Sequence, residues 1–268
     1  MAQDHRLQLQ RFELKYLVDE SVTGWMRDFI SSYLELDDFG VGKPGGAYPV
    51  HSVYLDSDSL ETHQAYINAT KNRYKLRLRY YDGDVDSPVF MELKGRVDNC
   101  ILKKRCAICR EAVPQVLAGQ LPPIDQLITT EPRHLAALER FIFLSQEIQA
   151  RPKLHNAYLR EAWVSPHDNS IRVTFDRNVR VEPYFKNDAP IEFTRPRVVY
   201  APFVILELKF TDRFPDWFKV LVRRFNLMQG SSAKYSGGVT MLGEDHFHPR
   251  QDMVQITPPE RAVAESRG

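Results

Sequence analysis

The sequence predicts an α+β fold: an antiparallel sheet, charged on one face and apolar on the other, with helices packed on the apolar face. Three observations carry this prediction. Lys75, Arg77 and Arg79 alternate with Leu76, Leu78 and Tyr80, and in a strand successive side chains point to opposite faces. The tripeptide Glu-Leu-Lys occurs at 13–15, 92–94 and 207–209, each time inside a strand-like run with Glu and Lys on the same face. Amphipathic runs of helical period stand between the strands and need an apolar surface to cover.

The elements follow in order. Residues 10–18 alternate, with Arg11, Glu13 and Lys15 opposite Phe12, Leu14 and Tyr16, and read as a strand. Asp19 or Ser21 can cap the next segment, where Val22, Trp25, Met26, Phe29, Ile30 and Tyr33 recur at helical spacing. Glycines and prolines make 37–49 a loop. A short strand at 50–54 and a helix over about 59–69 lead into the basic strand, whose hairpin partner spans 88–94 after a turn at 81–84. Residues 99–110 form a further strand with Lys103, Lys104 and Arg105 in its middle. A short helix at 111–118, with Pro114 in its first turn, is followed by Pro122-Pro123 and a longer helix over 133–149. Pro152 ends that helix, and 153–164 is a strand with Tyr158 and Arg160 on one face. Residues 171–176 place Arg172, Thr174 and Asp176 opposite Ile171, Val173 and Phe175. After an irregular stretch at 183–200 come a strand at 203–210, an amphipathic helix at 214–227 and a loop at 230–238. Residues 1–244 are expected to form one domain, and 245–268 a disordered tail.

Composition narrows the function. Lys and Arg number 36 against 35 Asp and Glu, a net charge of +1, so no global positive field supports nucleic-acid binding. No apolar run approaches the roughly 20 residues of a membrane span, and the first residues carry no apolar signal core. Three cysteines, Cys100, Cys106 and Cys109, are an odd number and fit a reduced, cytoplasmic protein. Cys106 and Cys109 lack a matching second ligand pair for zinc and read as small buried or half-buried side chains.

The charged faces can be placed in two ways. An open sheet could show them to water. Such faces, however, usually mix Thr, Ser, Gln and Lys, whereas these are ionic and repeat on at least six strands. Alternatively, the sheet could close into a barrel with the charges inward, where about eight strands leave room for one small ligand. Converging cations repel one another when the barrel is empty, and a chain of phosphates would relieve that. The inward placement accounts better for the pattern.

Seven segments, in order over residues 10–242, carry a resemblance: the strand through Glu13 and Lys15, the run 74–81, Glu92 to Lys94, Tyr158 to Arg160, Ile171 to Asp176, Leu206 to Lys209, and Lys234 to Ser236. They resemble the VTC domain, the polyphosphate-polymerase domain of the vacuolar transporter chaperone complex and a branch of the triphosphate tunnel metalloenzymes (the CYTH group). The resemblance implies a closed antiparallel eight-stranded β-barrel, a triphosphate tunnel, with helices on its outside. It also implies transfer of the ATP γ-phosphoryl to a growing polyphosphate chain with Mn²⁺ or Mg²⁺. Carried over residue by residue, Lys15, Arg77, Arg79, Lys94, Arg160, Arg172 and Lys234 contact phosphate oxygens, Tyr158 and Ser236 hydrogen-bond to them, and Glu207 holds the metal. Lys75 and Lys209 join from the charged faces, with one of Lys103 and Lys104. Glu13 and Glu92 are further candidate metal ligands, though pairing with nearby Lys and Arg, which fixes those side chains, accounts better for them.

Two positions depart from the relatives. The hydrolytic tunnel enzymes begin with Glu-x-Glu-x-Lys, and here Arg11 takes the first place, which favours the polymerase branch. The late Lys-x-Ser-Lys of the polymerases reads Lys234-Tyr-Ser-Gly237. The expected partners are ATP and polyphosphate or triphosphate, no nucleic acid, and a membrane protein supplied by another chain. The expected form stands alone, without the regulatory SPX module or membrane segments. A triphosphate or polyphosphate hydrolase in the same tunnel, a non-catalytic polyphosphate or nucleotide sensor, and a solvated sheet that binds protein are the other readings to be told apart.

Overall fold

The computed structural model describes residues 11–97, 100–166, 168 and 170–247, and only the backbone of residues 11, 100 and 101. The chain runs β1 (Arg11–Asp19), α1 (Glu20–Ile30), β2 (Glu35–Leu36), β3 (Ala47–Asp56), α2 (Glu61–Ile67), β4 (Arg73–Tyr80), β5 (Val89–Val97) and β6 (Cys100–Ile108). It continues through α3 (Val113–Leu117), α4 (Pro132–Glu147), β7 (Arg151–Val164), β8 (Ile171–Pro183) and β9 (Arg197–Val199). β10 (Phe203–Thr211), α5 (Asp216–Arg224) and α6 (Lys234–Leu242) follow.

All strands join one antiparallel sheet of ten, whose main path is β1-β10-β8-β7-β3-β4-β5-β6, with β2 on β7 and β9 on β8. The predicted closed barrel of eight strands is not what forms. The main path has eight strands, but among the described residues no ladder joins β1 to β6. Local segments occupy parts of both free edges. Gly230 N donates to Lys15 O at 2.9 Å on β1, and Ile128 N donates to Ala107 O at 3.3 Å on β6. Covering an edge this way protects it without closing the sheet. The sheet still curls until side chains meet across it: Lys94 of β5 lies 3.0 Å from Glu13 of β1.

Alternation decides which face each residue takes. Leu76, Leu78 and Tyr80 are fully buried with Met91 and Leu93 of β5, under Leu138 and Phe141 of α4. Val173, Phe175, Leu206 and Leu208 pack beneath Met26 and Ile30 of α1 and Phe218 and Leu221 of α5. Burying such side chains is worth about 1.5–3 kcal/mol each, so a register slip of one residue, which would exchange the faces, is heavily penalised. Asp19 caps α1 by accepting from Ser21 N at 2.8 Å. The predicted apolar stripe of α1 holds for Met26 and Ile30, whereas Trp25 lies largely in solvent.

Four differences from the predicted elements matter. Residues 234–242 are helical and not a loop. Gly237 and Gly238 read as loop formers, yet they sit within α6, where a Cβ at Gly238 would come 3.0 Å from Leu154 and 3.1 Å from Val181. Glycine is there so that the helix can lie close on the sheet. α6 therefore packs on the concave face, with Tyr235 and Val239 among Tyr54, Leu154 and Val181, and not on the outside with α1, α3, α4 and α5. Pro152 lies inside β7 opposite Leu55, at a register shift; the turn before it is made by Gln149 with φ 51°. Residues 244–247 form a 3₁₀ turn with Phe247 fully buried, so the ordered chain runs past 244. The remainder of the expected tail, 248–268, lies outside the described residues.

Candidate functional site

Ladder register assigns the basic residues to one face. Tyr54 stands opposite Arg77 and Ser52 opposite Arg79. Lys75 faces Lys94 and Arg77 faces Glu92. Lys103 faces Lys94, whereas Lys104 faces Leu93. Because Leu93 belongs to the apolar cluster under α4, Lys104 is on the outer face, and Lys103 is the member of the pair that enters the site. On the other wall Glu207 stands between Lys15 and Thr174, Lys209 between Glu13 and Arg172, and Arg160 opposite Asp176. Arg11 lies opposite Thr211 at the start of β1; its side chain is outside the described residues.

The inward cations are held by a smaller number of carboxylates. Glu207 is shared by Lys15 at 3.2 Å, Lys209 at 2.5 Å, Lys234 at 3.3 Å and Arg160 at 3.3 Å, with Thr174 Oγ1 donating at 3.3 Å. Asp176 takes the Arg160 fork through two bonds of 2.7 Å and Lys234 at 2.6 Å. Glu92 accepts from Arg77 Nη2 at 2.6 Å and pairs with Lys103 at 2.7 Å. Glu13 lies 3.2 Å from Lys15 and 3.0 Å from Lys94. Arg79 donates to the Tyr158 hydroxyl at 3.1 Å, and Arg172 meets Asp37 at 2.6 Å. Every inward residue that the sequence proposed is thus gathered on this face.

Protonation follows from this crowding. Burial opposes the charge of Glu207, but Lys209, Lys234, Lys15 and Arg160 hold its carboxyl well below the usual range. Burial likewise opposes charge on Glu92, and Arg77, Arg79 and Lys103 hold it low. Lys75 is the opposite case. It donates to Ser236 Oγ at 3.0 Å and lies 4.2 Å from the Tyr66 ring centre. Burial, with Lys15, Lys94 and Arg77 nearby, pulls it down to about 7. The face therefore carries a cation that lacks a strong anionic counterpart, which an incoming polyanion would supply.

That shift gives a pH prediction. Lys75 has an ordinary value of 10.5 and a folded value of about 7. Between these values the unfolded chain holds a proton that the folded chain has lost, so stability rises with pH across this window. Below it, both states are protonated and the full penalty remains. From pH 7 to 9 the protein is expected to gain stability relative to Lys75→Met. Denaturant melts at several pH values measure this effect. Parallel curves for the two proteins would show that Lys75 keeps its proton.

The sequence missed some members of the site. Asp176 was legible on the charged face, yet nothing marked it as the partner of Arg160 and Lys234. Asp37 and Asp56 lie far along the chain from what they hold. Asp56 accepts from the Tyr235 hydroxyl at 2.7 Å, from Thr62 Oγ1 at 2.8 Å and from His63 N at 3.0 Å. This fixes α6 so that Lys234 and Ser236 face the cations. Cys106 is buried and Cys109 half-buried, both as free thiols.

Among the described residues no three His, Cys, Asp or Glu side chains gather as a ligand set. The carboxylate oxygens point at ammonium and guanidinium groups instead. A divalent ion arriving on phosphate oxygens would have to take a carboxylate from these cations. Among the described residues no helix is long and apolar enough to cross a membrane.

Comparison with known proteins adds three findings. The family model of the VTC domain matches residues 10–243. Vacuolar transporter chaperone complex subunit 4 of Schizosaccharomyces pombe is 21% identical over 260 residues, spanning 81% of this chain and 36% of the relative. The chain therefore spans about a third of that protein's length. A solved structure of a proposed adenylate cyclase from Bacillus halodurans covers 84% of this chain at 13% identity, with a TM-score of 0.46, and the match spans 94% of that structure.

Proposed function

From the premise that this chain belongs to the VTC domain family, we propose that its concave face is the site of an ATP-dependent polyphosphate polymerase. The observation that carries the reading is the convergence of Lys15, Lys75, Arg77, Arg79, Lys94, Lys103, Arg160, Arg172 and Lys209 on one sheet face, joined by Lys234 of α6, in excess of the carboxylates they meet. Phosphoryl transfer asks little covalent chemistry of a protein. It asks for positioning and for neutralisation of negative charge.

Arg77, Arg79, Arg160 and Arg172 would each hold two phosphate oxygens in a fork, and the lysines would act as point charges. Tyr158 and Ser236 would donate hydroxyl hydrogen bonds to the same chain. A terminal oxygen of the polyphosphate attacks the γ-phosphorus, the bond from the γ-phosphorus to the bridging oxygen breaks, and ADP leaves with that oxygen. Glu207 would hold Mn²⁺ or Mg²⁺, which when bound neutralises phosphate charge; Glu13 and Glu92 act as counterions that keep Lys15, Lys94, Arg77 and Lys103 in place. The substrates are ATP and the phosphate chain. The membrane partner of the eukaryotic complex would come from another chain.

Incubation of the purified protein with ATP and Mn²⁺ tests this. Long polyphosphate and ADP in proportion are the expected products. Orthophosphate with no chain would assign the face to hydrolysis, and tight binding of tripolyphosphate with no turnover would assign it to sensing.

A further inference from the structure

Beside the cations lies a belt of aromatic rings that the phosphate chemistry does not use. Phe39 and Tyr81 stack with centroids 5.9 Å apart and planes 16° from parallel. Tyr48 lies 5.7 Å from Phe39 and 6.2 Å from Tyr81, and Phe90 meets Tyr81 edge-on at 6.1 Å. These rings come from β3, β5, the residue after β4 and the segment after β2. Tyr48, Tyr81 and Phe90 share the parity of the charged face: Tyr48 stands opposite Arg160, Phe90 stands opposite Arg79, and Tyr81 follows Arg79 by two residues. The ring of Phe39 is 64% exposed, so it caps the belt with one face open.

The exposed ring is held in place. Asp37, 5% exposed, accepts from Phe39 N at 2.8 Å through Oδ1. Its Oδ2 takes Arg172 Nη2 at 2.6 Å, and the same nitrogen reaches the Tyr48 hydroxyl at 3.3 Å. One carboxylate thus ties the main chain at Phe39 to the guanidinium of Arg172. The turn is also tight: a Cβ at Gly40 would fall 2.5 Å from the Gly46 carbonyl oxygen. An unsupported surface phenylalanine would need none of this.

We propose that this belt is a stacking shelf for the purine base of a nucleoside triphosphate, with the base on Phe39 and the phosphates on the cations beyond Arg172. The proposal rests on the concave face being the triphosphate site. Stacking needs only a π-face, so the shelf takes ATP and GTP alike, and the smaller ring of a pyrimidine overlaps Phe39 less and binds less well. It also separates the two substrates: the nucleotide is held at both ends, and the inorganic chain only by its phosphates.

The test compares ATP with inorganic tripolyphosphate by calorimetric titration of the wild type, Phe39→Ala and Phe39→Trp. Phe39 is exposed, so both variants should fold. The expected result is about tenfold weaker ATP binding for Phe39→Ala, unchanged tripolyphosphate binding, and ATP affinity restored in Phe39→Trp. Unchanged ATP binding, or an equal loss for both ligands, would overturn the shelf while leaving the phosphate site standing. A wild-type protein that binds neither ligand would overturn both readings.

Discussion

Replacing Glu207 by glutamine is expected to produce the largest loss of stability of any single change at the site. The carboxylate is 3% exposed and is shared by Lys15, Lys209, Lys234 and Arg160. Glutamine keeps the shape and removes the charge, leaving four cations with only Asp176 and Glu13 between them. Breaking a buried ion pair by removing one partner costs about 3–5 kcal/mol. For a domain of this size that corresponds to a fall in melting temperature of roughly 6–20 °C. The loss should be partly repaired by the ligand: tripolyphosphate should raise the variant's melting point by more than the wild type's, because it returns negative charge to the cluster. Product formation should be lost as well, since Glu207 is also the carboxylate assigned to the metal. A variant that melts with the wild type would show that Glu207 is not the shared counterion.

Arg77→Ala is expected to cost turnover more than it costs folding. Arg77 donates to Glu92 Oε2 from Nε at 2.8 Å and to the Tyr54 hydroxyl at 3.2 Å. Without it, Glu92 keeps Lys103 at 2.7 Å and Arg79 at 3.9 Å, so stability should fall by about 1–3 kcal/mol. Chain synthesis should fall about 10²- to 10³-fold, the usual cost of removing one fixed donor from a developing charge. Arg77→Lys separates charge from geometry. It keeps the cation and loses the fork, and should recover stability more than turnover. Full activity in Arg77→Ala would remove this strand from the site.

The basic strand shows what was readable in the chain. Alternation is a local property, and it correctly sent Leu76 and Leu78 under α4, both at 0% exposure, and Lys75, Arg77 and Arg79 to the concave face. The same rule placed Glu13 with Lys15, Glu207 with Lys209, and Arg172 with Asp176. It could not choose between Lys103 and Lys104, because that choice depends on pairing with β5. Pairing sets Lys103 opposite Lys94 and gives it Glu92.

The largest miss was α6. Two adjacent glycines signal a loop when only the local sequence is seen, and the reason for Gly238 is its contact with Leu154 and Val181, far away in the chain. Closure failed for a related reason. Alternation says which face is buried, not what occupies the last edge, and residues 127–128 and 229–230 take up parts of those edges. Asp37 and Asp56 were invisible as site residues for the same cause: each acts on groups that only the folded chain brings near.

If the inward cations form one site for a phosphate chain, that chain must stabilise the folded protein. Melting the ligand-free protein with increasing inorganic tripolyphosphate, in low salt and near pH 7, tests this most directly. A ligand that binds only the native state at a hundred times its Kd adds about 2.7 kcal/mol, so the melting temperature should rise by roughly 5–11 °C. The gain should shrink as salt is added and be smaller in Arg77→Ala. A melting temperature that does not move at any tripolyphosphate concentration would contradict the account.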